Sequence, residues 1–517
     1  MIISERSKAI ALRLANPSRV FAAIPSAKEL VVKGNRFVVV PHEVENVSTL
    51  RSLGIEAPSP ILHHYSWPGR FKPFDHQKET AAFLTVHKKC LVLNDLGTGK
   101  TMSSLWAADY LMKQGLVKKV LIVSPLSTLE RVWGDAIFTD FIERRYVVLH
   151  GDAKRRSKRL KADVDFYIVN HDGFNVIAPE AHGKFDLVIV DEAAVLRGAS
   201  TRRFRTFRAW MDKNPDTRLW LMTGTPTPNE PTDAWALARL VDSPYIPPFY
   251  THFRDQVMFK EGMHKWIPRP NSVEIVRHVL QPSIRFARDD CLDLPPTLIQ
   301  SRHVDLTPDQ KKHFEAMKKD LLVEMASGET ITALNQAIKL QKLIQISCGV
   351  AYGDDGEHIE VDCAPRVAAV REVIEQTEGK VIVFVPLTGT LHMLERELSK
   401  HWKIAVVNGA VSSSARNQIF HDFQNATNPR VLIAHPATMA HGLTLTAATA
   451  IVWYGPITSN EQYVQANGRV ERPGKRGTST VVHIEATDVE RKVYQRLAAK
   501  QSLQGLLLEV LKDQDGG

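Results

Sequence analysis

The stretch Cys90-Leu-Val-Leu-Asn-Asp-Leu-Gly-Thr-Gly-Lys-Thr101 decides how this chain is read. A short apolar strand runs into a glycine-rich turn that closes on a lysine and a hydroxyl residue. Gly97 and Gly99 let backbone N–H groups approach a polyphosphate, Lys100 suits the β and γ phosphates, and the Thr101 hydroxyl suits Mg2+. The helix such a loop requires is expected over Met102 to Leu111. The strict spacing asks for glycine at position 94, where the chain has Asn94, so the loop alone also fits an ordinary glycine turn between strand and helix.

Further along, Val188-Ile-Val-Asp191-Glu192 is a second apolar strand, ending in two carboxylates. One acid at such a tip can hold a hydrated Mg2+ while its neighbour orients or deprotonates an attacking water. Phosphate loop and acid pair together indicate a nucleotide hydrolase.

Bulk properties agree with a large soluble enzyme. At 517 residues the chain calls for two to four domains, and 44% apolar with 24% charged residues excludes disordered and fibrous classes. The net charge of +9 favours a polyanionic partner. Cys90, Cys291, Cys348 and Cys363 lack the spacing of a zinc site or a disulfide framework, which fits a reducing compartment. Glu5, Arg6, Lys8 and Arg13 interrupt any secretory core, and no apolar run is long enough for a membrane span. The expected location is the cytoplasm of a bacterial or phage-infected cell, or the nucleus in a eukaryote, with no membrane partner.

In chain order, residues 1–66 read as a small α+β unit, with a hairpin from Glu29 to Val40 turning at Gly34-Asn35 and a helix from Val44 to Leu53. Its role is either to read a substrate or to cap the next domain. Phe71-Lys-Pro-Phe74-Asp-His-Gln77 leads into an amphipathic helix, and a glutamine there can pair with both edges of adenine while an aromatic stacks on the ring. Residues 67–240 then alternate strands with helices: Val120–Val123, Tyr146–Leu149, Phe166–Val169, Leu187–Val190 and Arg218–Met222 are strands of a parallel sheet. Lys154 to Lys161 is a basic run, either a phosphate contact or a solvated helical face.

Residues 241–300, rich in proline and aromatics and without a clean period, are expected to form an insertion between lobes. Helices follow over Asp309–Leu322 and Thr330–Ile346. A second α/β lobe over 301–500 has strands at Val381–Val385, Ile404–Val407, Val431–Ala434, Ala450–Trp453 and Val481–Ile484 and no phosphate loop of its own. The helix Val489–Leu511 finishes the chain with a short polar tail, residues 501–517 holding the helix end and the tail.

In that order the chain also carries Gln77; Asp95 to Thr101; Val123-Ser-Pro125; Asp191-Glu-Ala-Ala194; Leu221-Met-Thr-Gly-Thr-Pro226 with Asn229; Ala434 to Leu445; and Gln465-Ala-Asn-Gly-Arg469-Val-Glu-Arg472-Pro-Gly474. Over residues 70 to 500 it resembles the superfamily 2 helicase-type ATPases of the Swi/Snf branch, relatives of the DEAD/DEAH-box helicases, in a compact phage or bacterial form. The resemblance implies an α/β fold of two tandem RecA-like parallel-sheet lobes with an ATP cleft between them. It implies ATP and Mg2+ as cofactors, with Gln77, Asp95, Gly97, Thr98, Gly99, Lys100, Thr101 and Gly442 at the nucleotide and Thr101 and Asp191 at the metal. Glu192 would position the water, and Arg469 and Arg472 would reach from the second lobe to the γ phosphate. Nucleic acid, double-stranded or branched DNA, would be gripped at its backbone by Ser124, Pro125, Asn170 and His171 on the first lobe. On the second, Thr388, Asn408, Gly409, His441 and Thr444 would do the same.

Three departures stand out. Ala194 replaces the histidine that usually ends the acidic motif, so coupling would run through other groups. Asp75 and His76 separate Gln77 from the nearest aromatic, leaving Phe71 and Phe74 as candidate stacking partners. Lys475 stands where the family has glutamine. The implied activity is that of a monomeric, DNA-stimulated ATPase translocating in replication, recombination or repair. A strand-separating helicase on DNA or RNA and an ATP-switched nucleic-acid-binding protein with little turnover are the alternatives.

Overall fold

A computed structural model describes residues 1–227, 230–261, 265–291, 297–326, 333–352, 358–439, 445–471 and 478–499. The chain forms two units, one of Met1–Glu261 with Lys265–Cys291, the other of Gly262–His264 with Leu292–Gly517.

The first unit begins with a four-stranded antiparallel sheet in the order Ile2–Ser4, Ala9–Leu12, Asn35–Pro41, Lys28–Val32. Period-two alternation sends Val38 and Val40 inward with Ile10 and Leu12, where the helix Val44–Ser52 covers them with Val47 and Leu50. The hairpin turns at Lys33-Gly34, one residue earlier than expected. Val32 pairs with Asn35, and a two-residue turn of this kind needs left-handed backbone at both central positions, here φ 47° and 79°.

The main sheet of this unit has seven strands in the order Ser283–Ile284, Lys89–Val92, Arg218–Met222, Leu187–Asp191, Val120–Ser124, Phe166–Asn170, Tyr146–Val148. All its pairings are parallel. The strands are continuous apolar runs because both faces are covered. Alternate residues serve two cores: Leu91, Leu121, Val188 and Leu221 pack with Phe174 and Phe207, whereas Cys90, Ile122, Ile189 and Trp220 pack with Trp106 and Trp133. Truncating any of the leucines or isoleucines to alanine would cost about 2–5 kcal/mol.

The second unit holds a six-stranded parallel sheet in the order Thr297–His303, Ser479–Glu485, Ala448–Trp453, Lys380–Phe384, Val431–Ala434, Ile404–Val407. Arg366, at the start of the helix Ala364–Gln376, is buried against Glu490 of the helix Asp488–Ala498, with Nη2 2.8 Å from both carboxylate oxygens. The long helices Pro308–Ala326 and Ala333–Ser347 lie where the sequence places them. The expected continuation of the last helix to Leu511 lies outside the described residues.

Residues 241–300 differ from an inter-lobe insertion. The helix Tyr250–Val257 places Phe253 and Val257 in a core of the first unit, and Ser283–Ile284 extends that unit's sheet. Thr297–His303 is instead an edge strand of the second sheet. The absence of a sequence period there reflects short elements and edge positions, where only part of each residue set is buried. No helix among the described residues is long and apolar enough to cross a membrane.

Candidate nucleotide site and nucleic-acid face

The strand Lys89–Val92 enters the loop and the helix Lys100–Lys113 leaves it. Gly97 and Gly99 both have left-handed backbone, with φ 84° and 81°. A Cβ at Gly97 would meet nothing within 4 Å, whereas one at Gly99 would stand 2.0 Å from the Gln77 Nε2. The loop is therefore open on one side and closed by Gln77 on the other. Gln77 Nε2 donates to the Thr98 carbonyl (3.2 Å), and a His76 ring nitrogen lies 3.0 Å from the same oxygen. Lys100 Nζ donates to the carbonyls of Asn94 (2.8 Å) and Asp95 (3.0 Å), and the Thr98 hydroxyl also donates to Asp95 O. Thr101 is half-buried at the helix start.

Asn94, the departure from the glycine pattern, is buried and has work to do. Its Nδ2 donates to the Thr80 hydroxyl (2.8 Å), and its Oδ1 accepts from the backbone of Phe286 (3.0 Å). Asp95 is held to the same segment: its N–H donates to Phe286 O and its Oδ2 accepts from Arg288 N. A glycine at position 94 could make neither side-chain bond. Of the two aromatic candidates, Phe74 neighbours Gln77 directly, its N–H donating to Gln77 Oε1 at 3.1 Å and its ring stacking on His76. Phe71 stands exposed beneath Arg70.

Sheet register places the acid pair on the same edge. Met222 is the partner of both Val92 and Asp191, so Val92 and Asp191 stand about two strand spacings, ~10 Å, apart. Asp191 Oδ1 accepts from Glu192 N (3.1 Å) and Oδ2 from the Trp133 indole (3.3 Å). Glu192 has left-handed backbone at φ 51°, a conformation that costs a non-glycine residue about 1 kcal/mol or more and that clusters at functional sites. Ala194 is buried. The turn after Met222 lies against the loop, since a Cβ at Gly224 would come 3.4 Å from Asn94 O, and Thr225 N donates to the Thr223 hydroxyl (3.1 Å). Asn229 lies outside the described residues.

Ser124 pairs with Asn170 one residue past the Val123–Val190 pair, so both sit on this edge too. Ser124 and Pro125 are buried, the Ser124 hydroxyl accepting from Thr128, and the exposed residues at this tip are Leu126 and Ser127. Asn170 Oδ1 accepts from Arg156 (3.1 Å), and a His171 ring nitrogen lies 2.8 Å from the Asp191 carbonyl. The basic run forms the helix Ala153–Leu160, and it is not simply a solvated face. Arg156 donates to the carbonyls of Gly151 and Leu149, and Arg159 to Val148. Burial lowers the Arg156 pKa.

In the second unit Arg469 is buried, its Nε donating to Met439 O at 3.0 Å. Thr388 opens the helix Thr388–Leu398 and is exposed. Asn408 is largely buried, its Oδ1 accepting from Ala410 N, and Gly409 is open to solvent. His441, Gly442, Thr444, Arg472 and Lys475 lie outside the described residues.

Trp133, Phe286 and His76 are contacts of the site that sequence reasoning missed. Trp133 reads as an ordinary core aromatic, Phe286 is remote in sequence, and His76 showed only as an interruption between Phe74 and Gln77. The loop fits a nucleotide: positive-φ glycines, an ammonium group held on carbonyls where a phosphate could replace them, and a hydroxyl and a carboxylate suited to Mg2+.

The family model of the SNF2-related domain matches residues 76–348, and that of the helicase conserved C-terminal domain matches residues 365–474. A putative protein p41 of Acyrthosiphon pisum secondary endosymbiont phage 1 is 27% identical over 467 residues, covering 86% of this chain and 99% of that one. An uncharacterized ATP-dependent helicase of Mycoplasma genitalium is 25% identical, over 80% of this chain and 40% of its own length. The DNA repair and recombination protein RAD54-like of Danio rerio is 23% identical, over 82% of this chain and 64% of its own. The SWI2/SNF2 ATPase core of Sulfolobus solfataricus, in complex with dsDNA, covers 84% of this chain and 92% of that chain at 19% identity and a TM-score of 0.41.

Proposed function

The chain belongs to the SNF2-related family, whose domain model spans more than half of it, and is a helicase-like ATPase of that family; from that premise we propose that it is a motor, dependent on ATP and Mg2+, that translocates on double-stranded or branched DNA in replication, recombination or repair. The observation that carries this reading is the shared sheet edge, on which one register row runs from the phosphate loop through Asp191 to Ser124 and Asn170.

In this scheme Lys100 exchanges the carbonyls of Asn94 and Asp95 for β and γ phosphate oxygens, and the backbone around Gly97, Thr98 and Gly99 supplies N–H groups. Gln77 selects adenine. Thr101 and Asp191 would hold Mg2+, which would neutralise charge on the phosphates. Glu192 takes the proton of the water that attacks the γ phosphorus, ADP leaving with the bond electrons. Arg469 and Arg472 supply guanidinium charge to the transferring group, as planar donors matched to phosphate oxygens.

Asn170 and His171, with the exposed tip that follows the buried Ser124 and Pro125, make the nucleic-acid face of the first unit. On the second unit the same role is assigned to Thr388, Asn408, Gly409, His441 and Thr444. Contacts of this kind read backbone rather than sequence, so binding is weakly sequence-specific and salt-dependent. The +9 net charge and the DNA repair and recombination role in the name of the Danio rerio relative support DNA as the polymer.

The test is steady-state ATP hydrolysis without nucleic acid and with single-stranded DNA, duplex DNA, forked DNA and RNA, alongside Glu192→Gln. Stimulation by duplex or fork that the variant abolishes is expected. Turnover at the variant's background with every polymer would leave a nucleotide-switched binding protein instead.

A further inference from the structure

Asp191, whose Oδ1 accepts from Glu192 N, is also held by two residues that each lie after a stretch assigned above to the nucleic-acid face. Trp133 lies fully buried in a π-helical turn, Leu129–Gly134, a few residues after Ser124-Pro125, and its indole N–H reaches the Asp191 carboxylate. His171 opens the helix His171–Ile177 directly after Asn170, and its Nε2 reaches the Asp191 main-chain oxygen. Because that partner is a carbonyl, Nε2 carries the hydrogen. Asp191 is thereby bonded at both its side chain and its backbone, while Ala194, which ends the acidic motif, offers no polar side chain.

We propose that Trp133 and His171 are positioning residues that carry engagement of nucleic acid at the 124–127 and 170–171 tips to Asp191, and so set the geometry in which Asp191 meets the metal. This inference rests on the proposed function.

Three features favour coupling over packing alone. A π-helical turn is a rare element that is frequent at functional sites. This one connects the exposed Leu126–Ser127 tip to the indole. The two bonds also hold different atoms of one residue, the carboxylate and the main-chain oxygen, so a shift at either tip reaches Asp191. Finally, the bond from the indole to the carboxylate, at 3.3 Å, is longer than the usual N–H···O distance of about 3.0 Å, so it has room to tighten. Partners that orient a metal-holding carboxylate commonly change metal affinity or activity about 10–100-fold when removed.

The closing experiment uses the full chain and Trp133→Phe, which keeps an aromatic ring in the core and removes the N–H donor together with part of the indole's buried volume. Two quantities are read with and without duplex DNA: the Kd for Mg·ADP by calorimetry, and kcat for ATP. Wild type is expected to show a DNA-dependent change in Mg·ADP affinity of about 5-fold or more, and Trp133→Phe a change under about 2-fold. DNA affinity without nucleotide should stay within about 2-fold, and stimulated kcat should fall about 10-fold or more.

A role in packing alone would lower the melting temperature and leave the ratio of the two Mg·ADP constants unchanged, which overturns the inference. Should Trp133→Phe fail to fold, His171→Ala is read by the same ratio at duplex concentrations that saturate the variant, so that a weakened DNA contact does not lower it. Wild type that responds to no nucleic acid overturns the proposed function and this inference with it. Wild type that responds alongside a variant that responds equally overturns the inference alone.

Discussion

Replacing Gly99 with alanine perturbs the nucleotide loop in two separable ways. The backbone there is left-handed at φ 81°, which costs an alanine about 1–2 kcal/mol. The new Cβ would stand 2.0 Å from Gln77 Nε2 and 3.1 Å from its Cδ, so the amide must swing away. Swinging gives up the bonds of Gln77 to Thr98 O and from Phe74 N, worth together about 1–2 kcal/mol at this half-buried site. The first unit should therefore lose about 2–4 kcal/mol. Urea unfolding followed by tryptophan fluorescence reads this unit, because Trp402 and Trp453 are the only tryptophans outside it. In a Gln77→Ala background the same substitution should cost only the backbone term, about 1–2 kcal/mol. Equal costs in both backgrounds, or a loss below about 0.5 kcal/mol in the wild-type background, would refute the claim that Gln77 closes the loop through Gly99.

Asn94→Leu keeps the volume and strands the Phe286 N–H, while the Thr80 hydroxyl keeps its bond to the His76 carbonyl; the first unit should lose about 1–2 kcal/mol of stability in urea unfolding, and a fluorescent ATP analogue should bind more weakly. Arg366→Met leaves the fully buried Glu490 carboxylate without its ion-pair partner and should cost about 3–5 kcal/mol in thermal unfolding of the second unit, most of it recovered in Arg366→Met with Glu490→Leu. His483 is buried against Tyr463 and Tyr494, and burial pushes its pKa from 6.5 to about 4. The folded state resists protonation that the unfolded state accepts. Stability therefore falls as pH drops from 6.5 towards 4, by roughly 3 kcal/mol at the low end, and levels off below. His483→Gln should flatten that part of the unfolding profile by up to about one proton.

The central strands and the loop were legible because each carries its own local signal. Val188 to Val190 and Val381 to Val383 are buried on both faces, which forces continuous apolar runs, and the Gly97/Gly99/Lys100 spacing follows from backbone conformation alone. Elements whose burial is partial left no such trace. Thr297–His303 is an edge strand with most residues exposed, and Ser283–Ile284 is too short to show a period, so both merged into an apparent linker. The hairpin was found but its turn was misplaced by one residue, since Lys33 takes up a left-handed conformation that only Gly34 advertises. At the site, residues acting through their own motif could be named, whereas Trp133, Phe286 and His76 act through contacts set by the tertiary fold. Asn94 showed as a departure from the glycine pattern, and only its partners reveal why a side chain is needed there.

In the proposed cycle, hydrolysis by this ATPase drives movement along duplex DNA. Displacement of a short third strand from a triplex tests it most directly, with ATP, with a non-hydrolysable analogue, and with Glu192→Gln. Release of the third strand that needs ATP and is absent in the variant, with the underlying duplex left annealed, is the predicted result. Duplex-stimulated turnover that leaves the triplex intact would contradict movement, and separation of the duplex strands would identify a helicase instead.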